Sequence, residues 1–213
     1  MRRNLLLSLS LVMVWMLGSG HIRVPVSHHE SVTYLTSHDQ IICTAWSINR
    51  AKALWITAAH CLVQIEEVDG VEIVIERPVQ LHQQPTTIKA FHQSADLAML
   101  QAQVGRPGLR LGRMPQVGDP AMVYGYPLGR PHPVALFLHV ANLFYPYDAW
   151  PQTMLFSGHG WPGHSGAPIF DRDGRVISVD QASIVAGWRG DVGGTLGASW
   201  ASLKAFGVDQ WEH

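Results

Sequence analysis

Four short strings carry the side chains that could act together. They are Ile56-Thr57-Ala58-Ala59-His60-Cys61, Ala95-Asp96-Leu97-Ala98, the stretch from Gly118 to Gly129, and Gly163-His164-Ser165-Gly166-Ala167-Pro168. His60 follows an apolar run and two alanines, and small neighbours on a tight turn hold an imidazole rigidly without crowding it, as a general base requires. Asp96 opens another apolar run, where a carboxylate is either a capped surface residue or one buried to accept from an imidazole. Ser165 is flanked by Gly163 and Gly166, which permit a sharp backbone path that side chains would obstruct. A base, an orienting acid and a hydroxyl nucleophile are the parts of acyl transfer through a covalent intermediate. Each part alone is weak, because the chain holds 12 histidines and Gly-Ser loops are common. Asp39 and Asp69 are the other acids to weigh, but neither precedes an apolar run in the same way.

Taken in the order His, Asp, Ser, with Pro168 and an apolar strand behind the serine, these strings resemble the chymotrypsin/trypsin-like serine peptidases over roughly residues 30–206. The stretch 118–129 is similar to the one that opens the second barrel in HtrA-type members. The chain therefore resembles bacterial and viral HtrA-type and glutamyl-endopeptidase-like members, without a PDZ domain. That resemblance implies a serine endopeptidase acting on protein or peptide substrates with no cofactor. Ser165 would attack the carbonyl, His60 shuttle the proton, and Asp96 hold the histidine tautomer and stabilise the imidazolium. The N–H groups of Gly163 and Ser165 would form the oxyanion hole. The alternative is a protease-like binding module that has lost turnover. An esterase of the α/β-hydrolase kind is disfavoured, because there the chain order is Ser, acid, His.

The resemblance also implies a pocket with one wall from His159 to Pro162 (including Trp161), one along Val179 to Ser183, and one near 193–195. Gln181, Ala182 and Ser183 would pair with an extended substrate as an added strand. Asp180 stands where glutamyl-specific relatives place a histidine, so it could favour a basic side chain or be a solvated loop acid. His164 departs from the digestive members, which carry an aspartate before the nucleophile to pair with a newly cut N-terminus. The loop is therefore expected to form without zymogen cleavage.

Short apolar runs separated by turn residues must position these groups. Candidate strands fall at 31–35, 41–48, 53–57, 71–75, 86–90 and 97–101, and again at 121–126, 134–142, 154–156, 167–170, 176–179 and 196–199. Such spacing, with Gly and Pro in the turns, argues for β-barrels or a sandwich rather than a β-α-β sheet. The resemblance makes this an all-β fold of two six-stranded antiparallel Greek-key barrels (about 31–104 and 121–199) with a short C-terminal helix near 199–206. The Gly- and Pro-rich stretch 105–120 separates them. A turn is expected over 58–64, a linker over 21–30, and a tail over 207–213.

The first twenty residues differ from the rest. Arg2 and Arg3 precede an apolar run from Leu5 to Leu17 broken only by Ser8 and Ser10, and Gly18-Ser19-Gly20 follows. This is the layout of a signal peptide, with an uncleaved signal anchor as the alternative. Either places the remainder outside the cytoplasm, periplasmic or secreted, with membrane contact only through this segment. The two cysteines, Cys43 and Cys61, are in an oxidising compartment most simply a disulfide, two buried thiols being the alternative.

A composition of 47% hydrophobic and 15% charged residues is that of a globular chain. With a net charge of −1 and scattered Lys and Arg, nucleic acid is excluded as a partner. No Walker loop is present. His28, His29, His159 and His164 could bind zinc in principle, but there is no His-Glu-x-x-His and no cysteine pair at ligand spacing, so no metal is expected.

Overall fold

Alternate residues of the first strands are buried on opposite faces. The structure, a computed structural model, describes residues 26–68, 71–184 and 193–208. The expected signal segment, Asp69 and the chain beyond Val208 lie outside the described residues. Strand β1 is Val32–Ser37, β2 Gln40–Asn49, β3 Leu54–Ala58, β4 Val63–Val68, β5 Val71–Glu76, β6 Gln80–Leu81, β7 Gln84–Pro85, β8 Thr87–His92 and β9 Leu97–Gln101. On β2, Cys43 and Ala45 join a core inside the first lobe, while Trp46 and Ile48 join a second core. The same alternation divides Trp55 from Leu54 and Ile56 on β3, and Ala98 and Leu100 from Leu97 and Met99 on β9. A sheet buried on both faces needs apolar residues on both sides of the pleat. That is why these strands read as near-continuous hydrophobic runs.

The second lobe supplies the other side of the shared core. Its strands are β10 Pro120–Gly125, β11 Val134–Tyr147, β12 Trp150–Ser157, β13 Pro168–Phe170, β14 Val176–Ile184 and β15 Gly194–Ala198. They close into a barrel in the order β10-β11-β12-β15-β14-β13. Ala121, Val123, Ile169 and Ile177 point into the barrel, whereas Met122, Tyr124, Phe170 and Val176 pack against the first lobe. One hydrophobic cluster thus runs through the junction and holds the two lobes to each other.

The fold is all-β with a short C-terminal helix, as expected, but the first lobe is built differently in detail. It is a curled seven-stranded sheet in the order β7-β6-β1-β2-β3-β9-β8, while β4 and β5 pair only with each other. The expected turn at 58–64 is a shorter 3-10 turn, Ala59–Leu62, that leads straight into β4. The linker 105–120 is bonded to both lobes, donating from the Leu109 N–H to the Ser47 carbonyl and from the Gly112 N–H to the Val176 carbonyl.

Helix α1, Val26–His29, docks on the second lobe: His28 Nε2 lies 2.7 Å from the Gly174 carbonyl, and His29 Nδ1 meets the Tyr124 hydroxyl. Helix α2, Trp200–Ala205, starts at Ser199, whose side chain accepts the Ser202 N–H as an N-cap. Among the described residues no helix is long and apolar enough to cross a membrane.

Cys43 of β2 and Cys61 of the 3-10 turn are joined by a disulfide across a sequence separation of 18. Closing a loop of this size removes chain entropy worth about 3 kcal/mol in the unfolded state. Replacing both cysteines by serine is expected to lower the unfolding free energy by about that amount, as read from denaturant titrations of the two proteins.

Candidate active site

Asp96 is the end of a 3-10 turn, Gln93–Ala95, and takes a left-handed conformation with φ of 50° before β9 begins. Few non-glycine residues adopt it, and aspartate is among the more tolerant. The twist turns the carboxylate inward, where its side chain is 2% exposed. A buried carboxylate must be supplied with donors, and this one is. Oδ1 accepts the His60 backbone N–H at 2.8 Å, and Oδ2 accepts from His60 Nδ1 at 2.7 Å. The Asp96 carbonyl also accepts the Ala59 N–H at 3.1 Å. Three bonds to two consecutive residues fix both the position of the imidazole and its tautomer, with the proton on Nδ1 and a lone pair on Nε2. The opposite edge of the ring stays accessible, the side chain being 37% exposed. Asp39 lies in the exposed β1–β2 turn, away from this pair.

Ser165 reaches the same place from the other lobe. Its carbonyl accepts the Thr44 N–H at 2.9 Å and lies 3.9 Å from the Sγ of Cys61, the residue after His60. Its hydroxyl donates to the Gln181 carbonyl at 3.3 Å. Among the described residues no hydrogen bond joins that hydroxyl to His60. His60 and Ser165 are therefore neighbours through their backbones, while the Ser165 hydroxyl rests on β14.

The loop carrying Ser165 is pressed against the first lobe, and glycine is required for that. A carbon added at Gly166, whose φ is +84°, would collide with the Thr44 carbonyl and the Thr57 hydroxyl. Gly163, with φ of +96°, leaves no room either: an added carbon would sit 2.6 Å from the Tyr126 carbonyl.

Two peptide groups of this loop are oriented by their carbonyls. Pro162 accepts the Leu128 N–H at 2.6 Å, and His164 accepts the Ala167 N–H at 2.7 Å. In a trans peptide the N–H points opposite to the C=O. The N–H groups of Gly163 and Ser165 are thereby turned away from those anchors, and neither has an acceptor among the described residues.

Thr44 is the joint between the lobes, and nothing in its own stretch of chain announces it. Fully buried, it donates from Oγ1 to the Gly163 carbonyl at 2.9 Å and accepts there the Tyr126 N–H at 2.9 Å. Its carbonyl takes the Thr57 hydroxyl at 2.8 Å. Gln181 also has a function its type did not announce. Its buried side chain donates from Nε2 to the Ala95 carbonyl at 2.8 Å, tying β14 to the turn that presents Asp96. A third unforeseen residue is Trp150, whose ring lies over His60 with centroids 5.7 Å apart and planes 32° apart.

The expected pocket residues divide into two groups. His159 and Trp161 are exposed at the mouth, and the Trp161 ring stacks on His164. Behind them Gly160 donates to Thr195 Oγ1 at 2.7 Å, and Ser183 Oγ donates to the Gly160 carbonyl at 2.8 Å. Asp180 is buried rather than solvated, against Gly160, where an added carbon would lie 2.8 Å from Oδ2. That oxygen has no hydrogen-bond partner, and burial holds the carboxyl pKa well above the usual carboxylate range. Beyond Asp180, Ala182 and Ser183 pair with β15 on one edge only, since the β13 pairing ends at Val179.

The one cluster of candidate metal ligands among the described residues is Cys43, His60 and Cys61. Its two sulfurs are spent in the disulfide, so the donor set does not suit a metal.

The fold and this site agree with the comparisons. Residues 43–179, more than half the chain, match the family described as the trypsin-like peptidase domain. The chain belongs to that family of serine-type peptidases. No curated protein matches it significantly. Among solved structures it is similar to the Rv3671c protease from M. tuberculosis in its active form, with 19% identity, a TM-score of 0.64 and coverage of 86% of this chain and 83% of that one. It is also similar to the MamO protease domain from Magnetospirillum magneticum, with 12% identity, a TM-score of 0.63 and coverage of 85% and 97%. A third is the HtrA-type protease AlgW solved with a tripeptide, with 17% identity, a TM-score of 0.64 and coverage of 85% and 61%. At these identities the likeness is one of fold.

His164, next to Ser165, is fully buried. Its Nδ1 accepts the Trp161 N–H at 3.1 Å and its own N–H donates to the Trp161 carbonyl at 2.9 Å, which closes the loop on itself. Burial pushes the imidazole pKa down from 6.5 to about 4, offset slightly by the Val134 backbone. The unfolded chain therefore takes up this proton first as pH falls, and stability is lost between pH 6.5 and about 4. The loss amounts to at most about 3 kcal/mol. His164→Asn keeps an acceptor for the Trp161 N–H but cannot titrate. Its melting temperature is expected to fall less steeply than the parent's over that window, as read by calorimetry.

Proposed function

We propose that this protein is an exported serine endopeptidase that hydrolyses peptide bonds through Ser165, His60 and Asp96 by way of an acyl-enzyme. The observation that carries the reading is the pairing of a buried Asp96 carboxylate with His60 beside the backbone of Ser165, at the junction of two lobes. Ser165 Oγ leaves the Gln181 carbonyl, rotates to His60 Nε2 and attacks the scissile carbonyl as that nitrogen takes its proton. The Gly163 and Ser165 N–H groups, turned away from the anchored carbonyls and without an acceptor among the described residues, receive the oxyanion. The imidazolium then protonates the leaving amine, and a water molecule repeats the sequence to release the acid. Gln181 supplies the carbonyl that a docked substrate N–H would claim, so substrate and resting hydroxyl compete for one acceptor. Export is read from the first twenty residues and agrees with the Cys43–Cys61 disulfide. A chain recovered from the cytoplasm with both thiols free would end that part of the reading.

A second reading, a binding module without turnover, is favoured by one observation: the Ser165 hydroxyl rests on Gln181 and not on His60. A fluorophosphonate separates the two. Covalent labelling at Ser165 marks an active nucleophile, and an unlabelled, folded protein marks a binding module. In the active case Ser165→Ala is expected to lower kcat by about 10⁴–10⁶-fold with folding retained, while a variant cleaving at the parent rate would show the nucleophile to be wrongly assigned.

Asp180 is our assignment for selecting the side chain before the scissile bond, P1. Its unpartnered oxygen offers an acceptor to an incoming donor, and the positive charge of an Arg or Lys side chain would favour loss of its proton to water. Cleavage of a peptide library is expected to favour Arg and Lys at P1, with that preference lost in Asp180→Asn. An unselective parent would remove the assignment.

A further inference from the structure

Positive charge collects in a recess that none of the strings around His60, Asp96 and Ser165 helps to build. The linker lies flat on the end of β2: a carbon added at Gly105 would sit 1.8 Å from the Arg50 carbonyl, and one at Gly108 2.3 Å from the Ile48 carbonyl. Two hydrogen bonds hold it there, from the Leu109 N–H to the Ser47 carbonyl and from the Ser47 hydroxyl to the Arg106 carbonyl. Gly108, Leu109 and Arg110 are common to two hollows. One, of about 340 Å³, is walled by Arg50 and Ala51 of the β2–β3 turn. The other, of about 260 Å³, is walled by His28 and Arg175. Sharing those three residues, the two make one continuous groove.

Three segments far apart in the chain each bring an arginine to this groove: Arg50, Arg110 and Arg175. All three are exposed, and among the described residues none is paired with a carboxylate. Asp173 is the one acid in the lining. Its neighbour Asp171 is spent on the backbone, where Oδ1 accepts the Asp173 and Arg175 N–H groups at 2.8 and 2.9 Å. The lining is therefore net positive. Cations held near one another without counter-charges repel, and an arriving anion relieves that repulsion. Guanidinium groups suit carboxylates in particular, because two parallel N–H donors match the two oxygens. A groove, unlike a flat face, admits an extended chain. The net charge of −1 gives no wide positive field of the kind that draws nucleic acid or a lipid surface.

The geometry points to a second binding site: the groove takes up an acidic peptide segment, whose Asp and Glu carboxylates are held by Arg50, Arg110 and Arg175. The site does not draw on the peptidase reading, so either can fail alone. It is tested on the full-length protein carrying Ser165→Ala, which leaves the probe uncut, with fluorescein-labelled hexaglutamate followed by fluorescence polarisation. Saturable binding is expected, and labelled hexaglutamine, of similar shape without the charge, should bind at least ~10-fold more weakly. Arg110→Ala and Arg175→Ala should each weaken hexaglutamate binding about 3-fold, and the two together about 10-fold, with the melting temperature unchanged. Arg50→Ala, on the opposite wall, repeats the test from a different segment and should also cost about 3-fold. A Lys89→Ala, Lys204→Ala double variant, which removes two exposed cations elsewhere, should bind within ~2-fold of the parent. No saturable binding, no loss in the arginine variants, or an equal loss in the lysine variant overturns the site. Sedimentation with phosphatidylglycerol vesicles that needs the same arginines, while hexaglutamate stays unbound, also overturns it by making the partner a lipid surface.

Discussion

A carboxylate taken out of water is the demand around which the cleft is arranged. Asp96 is buried, and a buried charge is tolerated only when hydrogen bonds replace its lost hydration. Both of its oxygens are spent on His60, one on the backbone and one on the ring. The left-handed turn at Asp96 aims the group inward, Gln181 braces that turn from the other lobe, and the 3-10 turn after β3 brings two consecutive N–H groups to it. Loosening any of these would leave the carboxylate short of donors, so the geometry of His60 follows from the solvation of Asp96.

The loop that carries Ser165 is governed by close approach instead of charge. Thr44 reaches from β2 to hold Gly163 and Tyr126, its backbone holds Ser165, and the absence of a side chain at Gly166 lets the loop sit directly on the first-lobe strands. The cluster of buried residues drawn from both lobes keeps these surfaces in contact. Because that core is shared, the distance between Ser165 and His60 is a property of packing between lobes and not of either lobe alone.

The strings around His60, Asp96 and Ser165 were legible because their neighbours are dictated by backbone needs: small residues before a tight turn, an apolar strand after an acid, glycines about a serine. The strands of the junction were legible for a related reason, since burial on both faces leaves unbroken apolar runs. Thr44, Gln181 and Trp150 were not. Their parts depend on what lies across the cleft, and nothing in a strand residue's own surroundings in the chain reports on a partner more than eighty positions away. Proline at 146 and 151 also disguised the hairpin of β11 and β12, so the strands were expected to end at 142 and begin again at 154. The opening of the first lobe was hidden because the expected turn ends at 64 and no strand is expected over 65–68, so the pairing of β4 with β5 alone had no sign in the chain.

Cys43 and Thr44 are consecutive on β2 and so face opposite ways, one into the first lobe and one toward the serine loop. A slip of β2 by a single residue would exchange those faces, putting a sulfur where the hydroxyl clamp belongs and a threonine where the covalent link belongs. The cross-link to Cys61 forbids that slip. Beyond its weight in stability, it acts as a lock on strand alignment, and oxidation of the pair during maturation would at the same moment commit the clamp to its correct side.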